Sequence, residues 1–134
     1  VVIAIIGILS AVVLASLSTA RNKGNDAAIQ SDLSTVQTQA EIYYGGTGAN
    51  SYGTAASSCA SAVFSDATIV KAVAGMTTAG GAVATGCGNT TSAYAIQEKL
   101  TTQRVSGTSD YWCVDSTGKS KSESAALGAA TACP

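Results

Sequence analysis

The chain opens with an uncharged apolar run, VVIAIIGILSAVVLASL, which covers Val1 to Leu17. A helix rises about 1.5 Å per residue, so this run spans about 26 Å, slightly less than the ~30 Å hydrocarbon core of a bilayer. The first basic residues, Arg21 and Lys23, follow where a membrane interface would lie. The pattern predicts a helix that is apolar on every side.

From Asn25 onward, apolar residues recur at helical spacing and form a single stripe. The stripe consists of Ile29, Leu33, Val36, Ala40 and Tyr43, and the polar residues predicted on the other faces are Asp26, Gln30, Asp32, Gln37 and Glu41. The glycine pair Gly45-Gly46 predicts the end of the helix. Because the run passes directly into the stripe, one helix of about forty residues is predicted, far above the usual ~8–20.

Three other interpretations of the apolar run compete with a structural arm. A secretory signal needs a small-residue cleavage site, which Ser18-Thr19-Ala20 resembles, but the sequence shows no positively charged region ahead of the run. A buried helix of a soluble core needs a larger partner than the remaining chain offers. A single-span anchor fits the run, but it needs no continuous amphipathic extension behind it.

The segment VVIAIIGILSAVVLASLSTARNKGNDAAIQSDLSTVQTQAEIYY resembles the N-terminal helix of type IV pilins and their relatives, most specifically in VVIAIIGIL. Mature pilins begin slightly earlier, with a Phe-first segment that contains a glutamate. They commonly carry a proline where this chain has Ala15, and Pro134 is the only proline here. The resemblance implies the pilin fold, an α+β arrangement in which a long N-terminal helix packs against a small antiparallel β-sheet head.

The resemblance also implies two segments with different roles along the chain. Residues 1–24 would form the hydrophobic helix of the membrane and filament core, and residues 25–134 the globular head with the amphipathic half of the helix. The implied partners are identical subunits in a helical homopolymer, the inner membrane before assembly, a prepilin peptidase and the pilus assembly machinery. The implied final location is an extracellular pilus filament.

The predicted filament core uses most of the apolar run. Its residues are Val1, Ile3, Ala4, Ile5, Ile6, Gly7, Ile8, Leu9, Ala11, Val12, Val13, Leu14, Ala15 and Leu17. The small residues Ala4, Gly7, Ala11 and Ala15 recur every three or four positions, which lets neighbouring helices approach closely. In assembled pili the helix often melts after the glycine that matches Gly7, and melting between Gly7 and Ser18 stays open here.

The composition argues against a nucleic-acid binder and against an enzyme. Charged residues make up 11% of the chain, the net charge is −1, and the basic residues are scattered, so a nucleic-acid binder is not predicted. The chain has no histidine and no P-loop, and neither an enzyme nor a cofactor is predicted. The alternatives to a major pilin are a pseudopilin of a type II secretion or DNA-uptake apparatus, and a membrane-anchored extracellular binding module.

Four cysteines, Cys59, Cys87, Cys113 and Cys133, lie far apart in a chain without histidine. Zinc sites use closely spaced pairs, so disulfides in an oxidising compartment are favoured. Three connectivities are possible, and the sequential pairing Cys59–Cys87 and Cys113–Cys133 is preferred because it gives two compact loops. The second loop encloses about twenty residues, which the chain-entropy model values at roughly 3 kcal/mol.

The head is predicted as a loop, a short helix and about three strands. The predicted segments are a surface connection at Gly45 to Ser58, a helix from Ala67 to Ala74 capped by Ser65 or Asp66 and stopped by Gly75, a glycine-rich crossing at Gly80 to Gly88, strands at Ser92 to Leu100 and Asp110 to Asp115, a turn at Ser116 to Gly118, and a polar edge strand at Lys119 to Glu123. Alternation places Tyr94, Ile96 and Leu100 on one face, with Glu98 as an exception near the edge. The helix stripe would meet Tyr94, Ile96, Trp112 and Val114.

Two further sites are considered. Asn89-Thr90-Thr91 matches a glycosylation sequon, which makes Asn89 a possible modification site. Asp110 and Asp115 flank one strand, and a calcium site built from them and loop carbonyls is conceivable, although the cysteines already supply cross-links. No metal site is predicted.

Overall fold

The computed structural model describes residues 1–81, 85–102 and 110–134. The elements are α1 (Val2–Gly45), a 3₁₀ turn (Ala62–Ser65), α2 (Ala67–Gly80), β1 (Gly86–Asn89), β2 (Tyr94–Lys99), β3 (Tyr111–Asp115) and β4 (Ser120–Glu123). The strands form one antiparallel sheet in the order β1-β2-β3-β4. The predicted α+β class, with a long N-terminal helix and a small antiparallel sheet, is confirmed.

The long helix α1 has no interruption over its 44 residues, so the segment from Gly7 to Ser18 is helical. It ends at the predicted glycine pair, where the Gly46 N–H donates to the carbonyls of Ile42 and Tyr43. The predicted stripe is confirmed, because Ile29, Leu33, Val36 and Ala40 are all fully buried and Tyr43 is half-buried. This stripe is therefore the part of α1 that belongs to the head.

The predicted position of Asp26 was wrong. It was expected on a solvent face, but its side chain is 7% exposed. Its carboxylate accepts hydrogen bonds from the backbone N–H and hydroxyl groups of Thr101 and Thr102, just after β2. The burial has a simple cause, since position 26 precedes Ile29 by three residues and so continues the buried stripe.

The second helix is longer than predicted. It begins as expected at Ala67, where the Asp66 side chain accepts from the N–H groups of Thr68 and Ile69. It does not stop at Gly75, and it ends at Gly80 with Gly81 in the left-handed conformation. Gly75 instead permits close contact with α1: a Cβ there would lie 2.5 Å from Asp32 Oδ2. A glycine that lies against an α1 side chain was thus taken for a helix stop.

The sheet also differs from the prediction at two places. Part of the segment predicted as a crossing, Gly80 to Gly88, forms strand β1, and residues 82–84 of it lie outside the described residues. Glu98 was expected near an edge, but β2 lies between β1 and β3 and Glu98 pairs with Trp112. Its side chain is fully buried and accepts from Thr85 Oγ1 and, at 3.2 Å, from the Lys99 N–H. Hydroxyl and backbone donors therefore take the place of water around this carboxylate.

The main core lies between α1, α2 and one face of the sheet. It unites the α1 stripe with Tyr52, Val63, Phe64, Ile69, Ala72, Met76, Cys87, Tyr94, Ile96, Leu100 and Val114, and Trp112 packs against it. The predicted contact between the stripe and the sheet residues is therefore confirmed. Tyr52 is an addition: it lies in the segment predicted as a surface connection, yet its ring packs between those of Tyr44 and Tyr94, with centroids 4.7 and 4.8 Å away.

The opposite face of the sheet is covered by the last residues of the chain. Ala95 of β2 and Cys113 of β3 form a second apolar cluster with Leu127 and Cys133. The approach is close, since a Cβ at Gly88 would lie 2.4 Å from the carbonyl oxygen of Ala130. The head is thus a sheet enclosed between helices and a C-terminal segment, residues 127–133.

This close approach predicts the effect of one added methyl group. We expect Gly88→Ala to lower the free energy of unfolding by about 1–3 kcal/mol, because the obstacle is backbone and cannot rotate away. The measurement is urea unfolding of the full chain in detergent, followed by Trp112 fluorescence. Gly45→Ala is the control, since nothing lies within 4 Å of its added Cβ, and we expect a change within about 0.5 kcal/mol. Equal stability of the two variants would contradict the packing.

Candidate assembly surface

The first twenty residues of the chain, here called the apolar arm, are not buried by the head. All of residues 1–20 are exposed, and they include most of the large exposed apolar side chains of the described chain. These are Val1, Val2, Ile3, Ile5, Ile6, Ile8, Leu9, Val12, Val13, Leu14 and Leu17, with exposed fractions from 51% at Ile5 to 101% at Val1. The apolar arm is thus the largest exposed apolar surface that the structure describes.

The size of this surface decides what it can do. Burying one Val, Leu or Ile side chain is worth about 1.5–3 kcal/mol, and soluble monomers rarely expose apolar patches above ~300–600 Å². By length and composition α1 is the one helix of the described residues that suits a membrane span, and none of its apolar window is buried. A signal sequence near an N-terminus meets the same criterion. The apolar arm therefore needs lipid or other protein around it.

The predicted line of small residues follows one side of the apolar arm. Ala4, Gly7, Ala11 and Ala15 recur within α1 at intervals of three and four, so they share a face. A Cβ placed on Gly7 would meet no described atom within 4 Å. Nothing among the described residues therefore requires a glycine at position 7, whereas a second helix packed on this face would benefit from one.

The transition from the apolar arm to the head is abrupt. Asp26 is the first buried residue of the chain, five positions after the exposed Arg21. Thr101 Oγ1 lies 2.6 Å from Asp26 Oδ1 and 2.8 Å from the Asn22 carbonyl oxygen, and the Thr101 N–H donates to Asp26 Oδ1 at 2.6 Å. These residues and Thr102 form a junction cluster that attaches the end of β2 to α1. The contact of α1 with the head therefore extends back to Asn22, two residues after the apolar arm ends.

Sequence reasoning missed the junction cluster, although a signal for it existed. The spacing from Asp26 through Ile29 to Leu33 is three then four, the same as in the rest of the stripe. A carboxylate at a buried helical position needs donors, and two consecutive threonines after a strand supply both N–H and hydroxyl groups. The spacing alone could have placed Asp26 on the inner face, but it could not have named its partners.

The structure contains both disulfides in the sequential pairing that was preferred. Cys59 and Cys87 join the segment before α2 to β1, with Cα atoms 5.2 Å apart. Cys113 and Cys133 join β3 to the C-terminal segment, with Cα atoms 5.9 Å apart. Each bond therefore fixes an irregular segment against the sheet.

Asp115 holds the C-terminal segment through its carboxylate. Oδ2 accepts from the Cys133 N–H at 2.9 Å, and Oδ1 accepts from the N–H groups of Thr117 and Lys119 and from the Thr117 hydroxyl. Burial alone raises the pKa of this carboxyl, but these hydrogen bonds outweigh it, and the pKa is lowered from its ordinary value. The carboxylate considered for calcium is therefore already occupied by N–H and O–H donors.

Asn89, the possible modification site of the sequon, is buried in the folded head. Its side chain is 1% exposed. Nδ2, the atom that would carry a sugar, donates to the carbonyls of Tyr52 at 3.2 Å and Thr54 at 2.9 Å. The residue connects β1 to the segment after α1, and a glycan has no room there in the folded head.

None of the family models, curated proteins or solved structures compared with this chain matches it.

The lowered pKa of Asp115 predicts a specific pH dependence. Its stabilising effect is complete above the ordinary aspartate value of about 3.9 and is lost as the pH falls through the lower folded value. We expect wild-type stability to fall on acidification below about pH 4. Asp115→Asn should be less stable at neutral pH and show a shallower acid decline, measured by urea unfolding across pH.

Asp32→Asn is the matched control. Burial raises the pKa of Asp32, so its charged form is disfavoured in the folded state and neutralisation should slightly raise stability near neutral pH. If Asp115→Asn kept both the wild-type stability and its acid slope, the role given to Asp115 would be wrong.

Proposed function

We propose that this chain is a structural subunit, the major pilin, of a type IV pilus, and that it polymerises through residues 1–24. One observation carries the proposal: a single unbroken helix, Val2–Gly45, is buried along one stripe in its second half, whereas its uncharged, mainly apolar residues up to Ala20 are all exposed. The resemblance of this helix to pilin N-terminal helices supports the same conclusion.

The mechanism is an exchange of neighbours around the apolar arm. Before assembly the arm lies in the inner membrane, where lipid surrounds the large side chains such as Ile5 and Leu9. In the filament, arms of identical subunits surround it instead, and Ala4, Gly7, Ala11 and Ala15 allow the helices to approach. Because apolar area is covered in both states, the arm need not pass through water.

The head forms the outer shell of the filament in this proposal and carries no catalytic step. Its thin core is reinforced by the two disulfides, and the C-terminal segment is fixed by Cys133 and Asp115. The segment from Gly45 to Ser58 and the region from Cys113 to Cys133 are the surfaces expected at subunit contacts or on the outside. A rigid head suits repeated packing because each copy presents the same shape.

A membrane-anchored binding module is the second candidate, favoured by the suitability of α1 as a single span. It predicts isolated subunits in the membrane rather than fibres. A pseudopilin of a secretion or DNA-uptake apparatus predicts short assemblies rather than long native fibres. Electron microscopy of fibres sheared from cells, followed by helical reconstruction, distinguishes these outcomes.

A charge in the apolar arm tests the proposal directly. We expect Ile5→Asp or Ile6→Asp to abolish fibres, because an aspartate inside an apolar helix environment costs up to about 2.5–3.5 kcal/mol. The measurement is the amount of sheared fibre, with subunit abundance in the membrane fraction recorded in parallel.

Val70→Asp is the control, since Val70 lies on α2 of the head and is already 46% exposed. It introduces the same charge outside the arm and should leave fibre yield near the wild-type level. Normal fibres from the Ile5→Asp variant would rule out the proposed core.

A further inference from the structure

We propose that Arg21 and Lys23, here called the basic pair, bind the phosphate groups of anionic phospholipids while the apolar arm is in the membrane. This inference rests on the proposed function in one respect, the membrane stage that precedes assembly. It adds a partner of defined chemistry, an anionic lipid headgroup, at the boundary between arm and head.

The depth of the basic pair follows from the length of the arm. The twenty residues from Val1 to Ala20 carry no charged side chain, and all but the N-cap Val1 are continuous helix. At about 1.5 Å per residue they span about 30 Å, which equals the hydrocarbon thickness of a bilayer. Arg21 and Lys23 therefore follow the arm at the level of the headgroups.

Helix geometry lets the two side chains contact different lipids. Residues two positions apart are separated by about 200° around the axis, so Arg21 and Lys23 point to opposite sides of α1. Both are exposed. The one ion pair found in the described part of the chain joins Lys121 to Glu123, so neither member of the basic pair is neutralised by an acidic side chain there.

The distribution of charge favours this partner over others. All eight acidic residues lie at or after Asp26, and outside the basic pair the chain has five basic residues, which gives the rest of the molecule a net charge of −3. The nearest acidic side chain in sequence, Asp26, is buried and its oxygens accept from Thr101 and Thr102. Among the described residues the two positive charges next to the arm therefore form no ion pair with an acidic side chain, whereas the rest of the molecule carries a net negative charge.

The junction cluster keeps the basic pair in place. The backbone carbonyl oxygen of Asn22, between the two basic residues, lies 2.8 Å from Thr101 Oγ1, and Asp26, one turn further along, accepts from the Thr101 N–H. The helix cannot bend away from the head here without breaking these bonds. Arg21 and Lys23 are thus held immediately outside the head, where headgroups lie when the arm is inserted.

The expected preference for anionic lipid can be estimated from the general behaviour of basic residues next to a membrane span. Each Lys or Arg near an anionic surface contributes about 1 kcal/mol, which is about a fivefold preference, and the effect weakens with salt. The test uses the full chain reconstituted in phosphatidylcholine bilayers. Spin-labelled phosphatidylglycerol or phosphatidylcholine is added, and the motionally restricted fraction of each label gives the relative association constant.

We expect the wild-type chain to prefer phosphatidylglycerol by up to about fivefold per basic residue at low salt, and the preference to fall at high salt. Arg21→Gln and Lys23→Gln should each reduce it, and the double variant should bring the ratio near one. Lys71→Gln, which removes an exposed charge from α2 in the head, is the control and should keep the wild-type ratio.

Restricted lipid without a preference, or a preference unchanged in the double variant, overturns the basic pair as a lipid site and leaves the proposed function intact. An absence of restricted signal from both labels means that the arm is not in the bilayer, which overturns the membrane stage of the proposed function and this inference with it. The two failures are therefore distinguishable.

Discussion

The backbone hydrogen bonds of α1 are the constraint on which the other features depend, because one rigid helix has to satisfy two environments. Between Asp26 and Ala40 the helix buries one side against the head. Before Arg21 it buries nothing. In a helix every backbone N–H and C=O of the arm is paired internally, apart from those at its start. The arm can therefore enter lipid or a bundle of helices without exposing polar backbone to an apolar medium.

The head compensates for a small core by fixing its irregular segments to a helix or a strand. Two buried carboxylates do this by accepting hydrogen bonds. Asp26 accepts from Thr101 and Thr102. Asp115 accepts from the backbone N–H groups of Cys133, Thr117 and Lys119. Hydrogen bonds from several N–H groups stabilise an ionised carboxylate in the absence of a cation. The disulfide between Cys113 and Cys133 acts on the same segment as Asp115, so covalent and polar constraints reinforce each other.

The sequence predicted the parts of the fold that repeat and missed those that depend on one contact. The α1 stripe and the two inner strands follow from spacing that any amphipathic element must obey, and the edge strand was predicted from its polar residues after a turn. Gly75 was misplaced because a glycine that admits Asp32 looks the same in sequence as one that ends a helix. Asn89 and Glu98 were misjudged because polar residue types are usually exposed, and only the fold supplies the buried partners that make these exceptions tolerable.

For the apolar arm, too, some features could be predicted from the sequence and others could not. Length and apolarity of the arm were evident from the sequence, but its complete exposure beside a folded head required the structure, since an apolar run can equally be a core helix. The exposed residues of the arm are followed closely by Asp26, the first buried residue of the chain. A helix that was only an anchor could end or bend where the head begins, whereas here the hydrogen bonds of Asn22 and Asp26 continue the rigid contact to the base of the arm. Head and arm therefore keep one fixed orientation, which the proposed helical packing of identical subunits would require.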